Sequence, residues 1–240
     1  MNINLTKQKD ICSTDKNEKQ LTLIKTYRNP YHNSNCYIDF ESVSIPELVN
    51  TNIFQIIADK ENSPLQMMFS SLETHKAKFL ESQGFTKVRM CHELEVNIND
   101  LISALSCQKI ELSRSYRGLE DYEACSQLLF EYYNEMHEPI NPLSSTFEEF
   151  ISNVPTEVLY YKNDSGIQHA AFVENNEIAY VCSRDKSTFE NFAFTLVHDR
   201  LTDHKSIFFE ADNVDWAATT LKNLFSTDSR ESFDTWIYKK

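Results

Sequence analysis

The stretch YVCSRDKSTFENFAF (Tyr180–Phe194) reads as a strand, one tight turn and the start of a helix. Two cations, Arg184 and Lys186, stand in it beside two acids, Asp185 and Glu190, and the hydroxyls of Ser187 and Thr188. Exposed amides and the dipole at a helix start favour an anion, so the turn invites a phosphate group. Two features oppose that reading. Ser187-Thr188-Phe189-Glu190 matches the capping box S-x-x-E, in which Glu190 satisfies the helix end from within and sets a negative charge worth ~0.3–1 kcal/mol against the anion. Glycine is absent from the turn and numbers only 3 in the chain, which excludes a glycine-rich nucleotide loop of the usual kind.

Other residues offer chemistry singly. Tyr180 carries a proton-donating hydroxyl on the strand before the turn, although aromatic strand residues are usually core. His169 lies in a strand of alternating character, facing either a cleft or the core. Cys182 has no paired base visible in the sequence and reads as a buried thiol. The six cysteines (Cys12, Cys36, Cys91, Cys107, Cys125, Cys182) form no C-x-x-C pair and no zinc spacing with histidine, so no metal is expected and the thiols read as reduced. A net charge of −13 repels a polyanionic backbone, which excludes a general nucleic-acid role. The same field suits a small cationic substrate such as an amine, and also keeps a protein soluble. The N-terminus MNINLTKQKDICSTDKNEKQ lacks the apolar stretch of a signal peptide. No run approaches the ~18 apolar residues of a spanning helix. A cytoplasmic protein without a membrane segment is expected, with its oligomeric state open.

These residues must be positioned by strands and helices. Residues 1–19 read as a loose polar arm, and LTLIKTY and CYIDFESV as strands. NIFQIIADK fits either type. LQMMF is a buried strand, SSLETHKAKFLESQGF a helix with Gly84 where a C-terminal glycine belongs, and KVRMCHELEV an alternating strand. NINDLISALSCQK is helical or a linker and marks a domain boundary. In the second half KIELSRSY is a strand, and Leu119, Tyr122, Cys125, Leu128/Leu129 and Tyr132/Tyr133 follow a helical period. STFEEFISNVP is a short capped helix. Three strands follow, separated by NDSG and ENNE, and then a helix with Phe189, Ala193, Leu196/Val197 and Arg200 in phase. KSIFFEA, VDWAATTLKNLF and ESFDTWIY close the chain as strand, helix and strand. The order predicts a mixed α/β sheet rather than a doubly wound parallel one. Two segments, from Phe69 to Phe85 and from Phe209 to Phe225, share spacing and element order as a weak internal repeat.

With these residues, the order resembles the GNAT superfamily of acyl-CoA-dependent N-acyltransferases over roughly Lys109 to Lys240, with a partial echo from about Asn52 to Val96. FLESQGF is similar to the ending of the family's last helix. FFEADNVDWAATTLKNLF is similar to its strand–helix segment, with Asn213 at the family asparagine and Ala217 one place late. YVCSRDKSTFENFAFTL is similar to its cofactor segment.

The resemblance implies a mostly antiparallel sheet with a splayed central strand pair flanked by helices. It implies three regions: a polar arm (1–19), a partial GNAT-like region (20–100) and a C-terminal acyltransferase domain (101–240). It implies acetyl-CoA as co-substrate, held by Val181, Cys182 and Ser183 through backbone groups, by Arg184 and Lys186 at the basic positions, by Ser187, Thr188, Phe189, Glu190 and Asn191 along the turn, and by Asn213. Ser187, Phe189 and Asn191 replace the motif's two glycines and final small residue, and the phenyl ring of Phe189 removes the close approach a glycine allows. Glu177 is implied as base and Tyr180 as an alternative proton donor. The tyrosine that commonly protonates the departing thiolate is replaced by Leu221 beside Thr220. The acceptor implied is a small primary amine; EMHEP (Glu135–Pro139) stands where its pocket would be shaped. A degenerate, non-catalytic module of the same fold that binds a ligand or a protein is the competing reading.

Overall fold

The computed structural model describes residues 6–14, 20–42, 45–49, 51–102, 107–227 and 231–239. The chain forms two compact units, one of residues 1–89, 138–145 and 233–240, the other of 90–137 and 146–232. A single cut near residue 100 does not reproduce this division, because the chain leaves the second unit at Glu138 and again at Phe233.

In the first unit the strands run β1 (Thr6–Thr14), β2 (Gln20–Arg28), β3 (Cys36–Asp39), β4 (Leu65–Ser70) and the C-terminal β11 (Phe233–Tyr238), in that spatial order. The loose arm expected over residues 1–19 is therefore a strand at Thr6–Thr14, paired antiparallel with β2; residues 1–5 and 15–19 lie outside the described residues. The helices of this unit are α1 (Ile45–Leu48), α2 (Ile53–Glu61) and α3 (Thr74–Ser82). NIFQIIADK, open between two types, is helical because Ile53, Phe54, Ile57 and Ala58 make one buried stripe. α3 ends as its sequence predicts. Gly84 takes φ +89°, and the Phe85 amide reaches back to the Leu80 carbonyl at 3.0 Å while Phe85 turns inward. The core of this unit is aromatic: Phe40, Phe54, Phe79 and Phe85 pack tilted or edge-on, and Phe69 stacks on Trp236.

The second unit carries the chemistry. Its sheet order is β5 (Thr86–Val96), β10 (Ile207–Asp212), β9 (Glu177–Ser183), β8 (Gly166–Glu174), β7 (Glu157–Asn163) and β6 (Ser113–Tyr116). All neighbours are antiparallel except β9 and β10, which run parallel. Around it lie α4 (Glu120–His137), α5 (Phe147–Ile151), α6 (Phe189–Asp203) and α7 (Trp216–Lys222). The protein is thus a mixed α/β fold with mostly antiparallel strands flanked by helices, as the element order predicts. The expected helix or linker after β5 is a short 3-10 turn, Ile98–Asp100, closed by an Asn97–Asp100 capping box; residues 103–106 lie outside the described residues. The two segments with repeat spacing are both strand–helix–strand, β4-α3-β5 and β10-α7-β11. Their last strands do not stay with their first: β11 pairs with β4, and β5 with β10.

Alternation along β8 tells which helices lie on which face. Phe172 meets Tyr122 of α4, whereas His169 meets Phe189 and Phe192 of α6. Those β8 positions are three apart in a stretch of regular pairing, so α4 and α6 cover opposite faces. Among the described residues, no helix is long and apolar enough to cross a membrane.

Gly84→Ala tests the α3 terminus. A side chain at φ +89° is strained even though the space beside the Tyr238 ring would admit a methyl group, and equilibrium urea unfolding should show a loss of about 1–2 kcal/mol.

Candidate functional site

The parallel pairing of β9 with β10 consists of two residue pairs, Phe208 with Glu177 and Phe209 with Ile178. Among the described residues the pairing with β10 ends at Ile178, whereas the other side of β9 stays paired with β8 as far as Ser183. A right-handed crossover through α6 joins the two strands and leaves the opening at their C-terminal ends. An open strand edge offers amides and carbonyls to an extended ligand.

The turn after β9 closes on itself. The Ser187 amide and hydroxyl donate to Asp185 Oδ1 (2.9 and 2.6 Å), and the Thr188 hydroxyl donates to Asp185 Oδ2 (2.6 Å). These bonds, from the side chains of Ser187 and Thr188 and then the Ser187 amide, pull the Asp185 carboxyl down to about 2. Since Thr188 spends its proton on Asp185, it accepts from His169 Nε2 (3.0 Å). His169 Nδ1 lies 2.8 Å from the Ser183 hydroxyl, which also reaches the Asp185 carbonyl (3.1 Å); a neutral ring with its proton on Nε2 accepts at Nδ1 when the Ser183 proton turns to it. His169 is fully buried, and burial pulls its pKa down to about 4.

This network moves the helix start by one residue. Thr188, not Ser187, is the N-cap of α6, and its side chain makes no cap bond; the third helical residue is Asn191, so the predicted Ser187–Glu190 capping box does not form. Asn191 instead accepts the Gln108 amide on Oδ1 (2.9 Å). The remaining predicted cofactor residues fall as follows. Val181, Cys182 and Ser183 are buried, leaving only their backbone for a ligand. Arg184 pairs with Glu131 (3.2 Å) on the surface, and the Lys186 ammonium lies 5.4 Å from the Trp216 ring centroid. Glu190 is exposed. Phe189 is fully buried against Trp216, Phe192 and His169, so its ring fills the core behind the turn. Asn213 binds internally, its Oδ1 accepting the Met90 amide (2.7 Å).

Glu177 and Tyr180 are an odd number apart, which places them on opposite faces of a regular strand. Between the pairs Phe172–Tyr180 and Val173–Ile178, β9 advances two residues and β8 one. The extra residue, Ala179, is a bulge, and it returns Glu177 to the α4 face with Tyr180. Tyr180 packs there against Tyr133 and Phe150. Registers with β10 and β5 put Glu210, Asp212, Glu93 and Cys91 on this face as well. Burial, then the carboxylates of Asp212, Glu93 and Glu177, push the Glu210 carboxyl above its usual range, although its side chain keeps contact with water. Glu210 and Glu93 stand directly opposite, an arrangement that costs stability without a cation.

Three residues that the sequence did not single out complete the opening. Asp215 caps α7, its Oδ1 accepting the Ala217 and Ala218 amides (2.8 and 3.0 Å) and the Tyr132 hydroxyl (2.5 Å). The Ala217 amide also reaches Tyr132 Oη (3.1 Å). Burial, then the Asp215 charge, push the Tyr132 hydroxyl far above its usual range, so it stays protonated; burial raises Asp215 as well. Trp216 packs edge-on against both Tyr132 of α4 and Phe189 of α6. An aspartate before an apolar helical run is a readable cap signal, whereas the partners of Tyr132 and Trp216 are set only by tertiary packing. Among the described residues no cluster of His, Cys, Asp and Glu is arranged to hold a metal ion.

Two expected outcomes follow from this network. His169 is neutral when folded and titrates at about 4 rather than 6.5, so stability should be complete above pH 6.5 and fall as pH drops towards 4, by roughly 2–3 kcal/mol. His169→Gln should flatten that limb of a chemical-denaturation pH profile. Phe189→Gly, which restores the glycine of the related motif, should destabilise by about 3–5 kcal/mol in urea unfolding, because it empties a buried ring site.

No protein-family model matches the sequence, and none of the curated proteins matches it. Solved structures do. A GCN5-related N-acetyltransferase from Sphaerobacter thermophilus superposes with TM-score 0.54 at 12% identity, covering 97% of this chain and 81% of that one. A conserved protein of unknown function from Enterococcus faecalis V583, described as a probable N-acyltransferase, gives 0.53 at 10%, covering 92% of this chain and 60% of that one. A GCN5-related N-acetyltransferase from Kribbella flavida gives 0.50 at 11%, covering 97% and 89%. At such identities the likeness is one of architecture, and with the splayed β9–β10 pair it makes this a GNAT fold.

Proposed function

We propose that this chain transfers a small acyl group from acyl-CoA to a primary amine that carries positive charge. The observation that carries the reading is the parallel pair that stops after Phe209–Ile178, so that β9 continues from Ala179 to Ser183 beyond its pairing with β10. Acyl-CoA supplies a thioester whose acyl carbon an amine attacks directly: the C–N bond of the amide forms as the C–S bond breaks, and coenzyme A leaves as a thiolate that takes a proton from Tyr180 or from solvent. The β9 edge would hold its extended amide-bearing arm by backbone hydrogen bonds. Arg184 and Lys186, now on Glu131 and Trp216, would turn to its phosphates. On the α4 face, Glu177, Glu93, Glu210 and Asp212 attract a cationic amine, and a carboxylate there receives the proton that the amine must lose before or during attack. Tyr180 lies on the same face, within the aromatic contacts of Tyr133 and Phe150.

One observation favours the alternative of a non-catalytic binding module. Asp185 already occupies the Ser187 amide and both turn hydroxyls with an internal negative charge. A phosphate at the turn must displace that carboxylate or bind beside it.

Thermal shift separates the readings. Coenzyme A at 100 times its dissociation constant should add about 2.7 kcal/mol of stability, and Asp185→Asn, which keeps the acceptor for Ser187 but removes the charge, should raise its affinity, more at low salt than at high. No shift for either protein at millimolar coenzyme A would assign the fold to the binding module. In an acetyl-transfer assay, Glu210→Gln should lower kcat/KM for a diamine more than for a neutral-tailed monoamine. Equal losses would remove the acidic face from acceptor recognition.

A further inference from the structure

The two cations of the turn before α6 are held in different ways. Arg184 is paired with the Glu131 carboxylate of α4 (3.2 Å), which offsets its charge. The Lys186 ammonium meets no carboxylate at ion-pair distance among the described residues; its partner is the Trp216 indole, with Nζ 5.4 Å from the ring centroid. A ring face attracts an ammonium through its quadrupole but carries no net charge. The lysine is therefore held while its charge stays whole. The two partners also differ in mobility. Lys186 is exposed on a flexible four-carbon stem. The half-buried indole is fixed by edge-on packing against Tyr132 (centroids 5.8 Å apart) and Phe189 (5.4 Å). Its chain neighbours are fixed as well, since Asp215 accepts the Tyr132 hydroxyl and the Ala217 amide donates to that same oxygen.

We propose that Trp216 is a positioning residue that holds the Lys186 ammonium at the turn for a phosphate of coenzyme A. The inference rests on the acyl-CoA reading and adds to it the residue that orients one of its cations. An unrestrained lysine loses rotamer freedom when it meets a phosphate, whereas one already resting on a fixed ring has lost part of that freedom beforehand. The ammonium turns its outward N–H groups to the phosphate and keeps the ring beneath it. Packing against Tyr132 and Phe189 asks only for an apolar side chain at residue 216; holding an ammonium asks for an aromatic face, and an indole gives the strongest one. Trp216 acts through Lys186 and makes no contact with the phosphate itself. No covalent step is involved.

Calorimetry with coenzyme A tests this on the wild type, Trp216→Leu, Lys186→Ala and the double variant. Trp216→Leu should weaken binding about two- to fivefold, the equivalent of about 0.5–1 kcal/mol for an exposed ammonium on a ring. In the Lys186→Ala background the same substitution should leave affinity unchanged, whereas an effect through packing alone would weaken both backgrounds alike. Should the leucine variant fail to fold, fluorinated tryptophan at both tryptophans, Trp216 and Trp236, keeps the ring shape while depleting its negative face. Affinity should then fall in the otherwise wild-type protein and not in Lys186→Ala. Equal losses in both backgrounds, or none in either, would overturn the role of Trp216 and leave the acyl-CoA reading standing. Absence of binding to every protein at millimolar coenzyme A would overturn both.

Discussion

The short parallel contact between β9 and β10 is the constraint on which the second unit depends. Two residue pairs hold the strands together at Glu177–Ile178, and nothing continues the ladder. The elements around it answer to that opening. α6 has to cross over from one strand to the other, α7 starts beyond the end of β10 with Asp215 as its cap, and Trp216 packs between Tyr132 of α4 and Phe189 of α6.

The turn at the mouth of the opening shows how one electrostatic need is met from within. A helix start and a run of donors favour negative charge, and Asp185 supplies it with the shortest possible reach, two and three residues ahead of its donors. The histidine behind the turn makes this arrangement durable: His169 engages Ser183 on one side and Thr188 on the other, and its burial keeps it neutral. Phe189 belongs to the same solution. A glycine there would leave the space between His169, Phe192 and Trp216 empty, so the ring that is out of place in a phosphate-binding motif is in place as core.

The acid-bearing face runs the other way, towards unmet charge. Glu93 and Glu210 are set opposite each other by the β5–β10 register, and Glu177 joins them by the bulge at Ala179. Like charges at directly opposed positions weaken a sheet. The raised Glu210 carboxyl is the local sign of that repulsion added to burial. A cationic ligand relieves both, which links the net charge of −13 to a particular surface instead of to solubility alone.

Much of the architecture was legible in the residues themselves, because helical and strand periods are local properties of the chain. Phe189, Ala193, Leu196, Val197 and Arg200 were in phase for a helix and are all buried; Gly84 stood one step past α3 and takes the left-handed conformation there. The element order followed from the same local reading, whereas the splayed pair was implied only by the family resemblance and not by any local period. What local pattern did not hold was any choice among competing partners. Ser187 and Thr188 are both plausible caps by type, and the decision fell to a histidine on β8, 19 residues before Thr188. Glu177 and Tyr180 are on opposite faces by alternation and on the same face by the bulge. Residues 6–14 are polar enough to read as an arm, yet a strand needs only a neighbour to pair with, and β2 supplies one. Tyr132 looked like one more aromatic of an apolar stripe until α4 and α7 brought it against Trp216 and Asp215. The sequence by itself determined the periods, the ends and the order of the elements, since these depend on residues a few positions apart. Only the tertiary structure decided where α6 starts, which acids share a face and which rings pack together, since each is a competition between groups far apart in the chain.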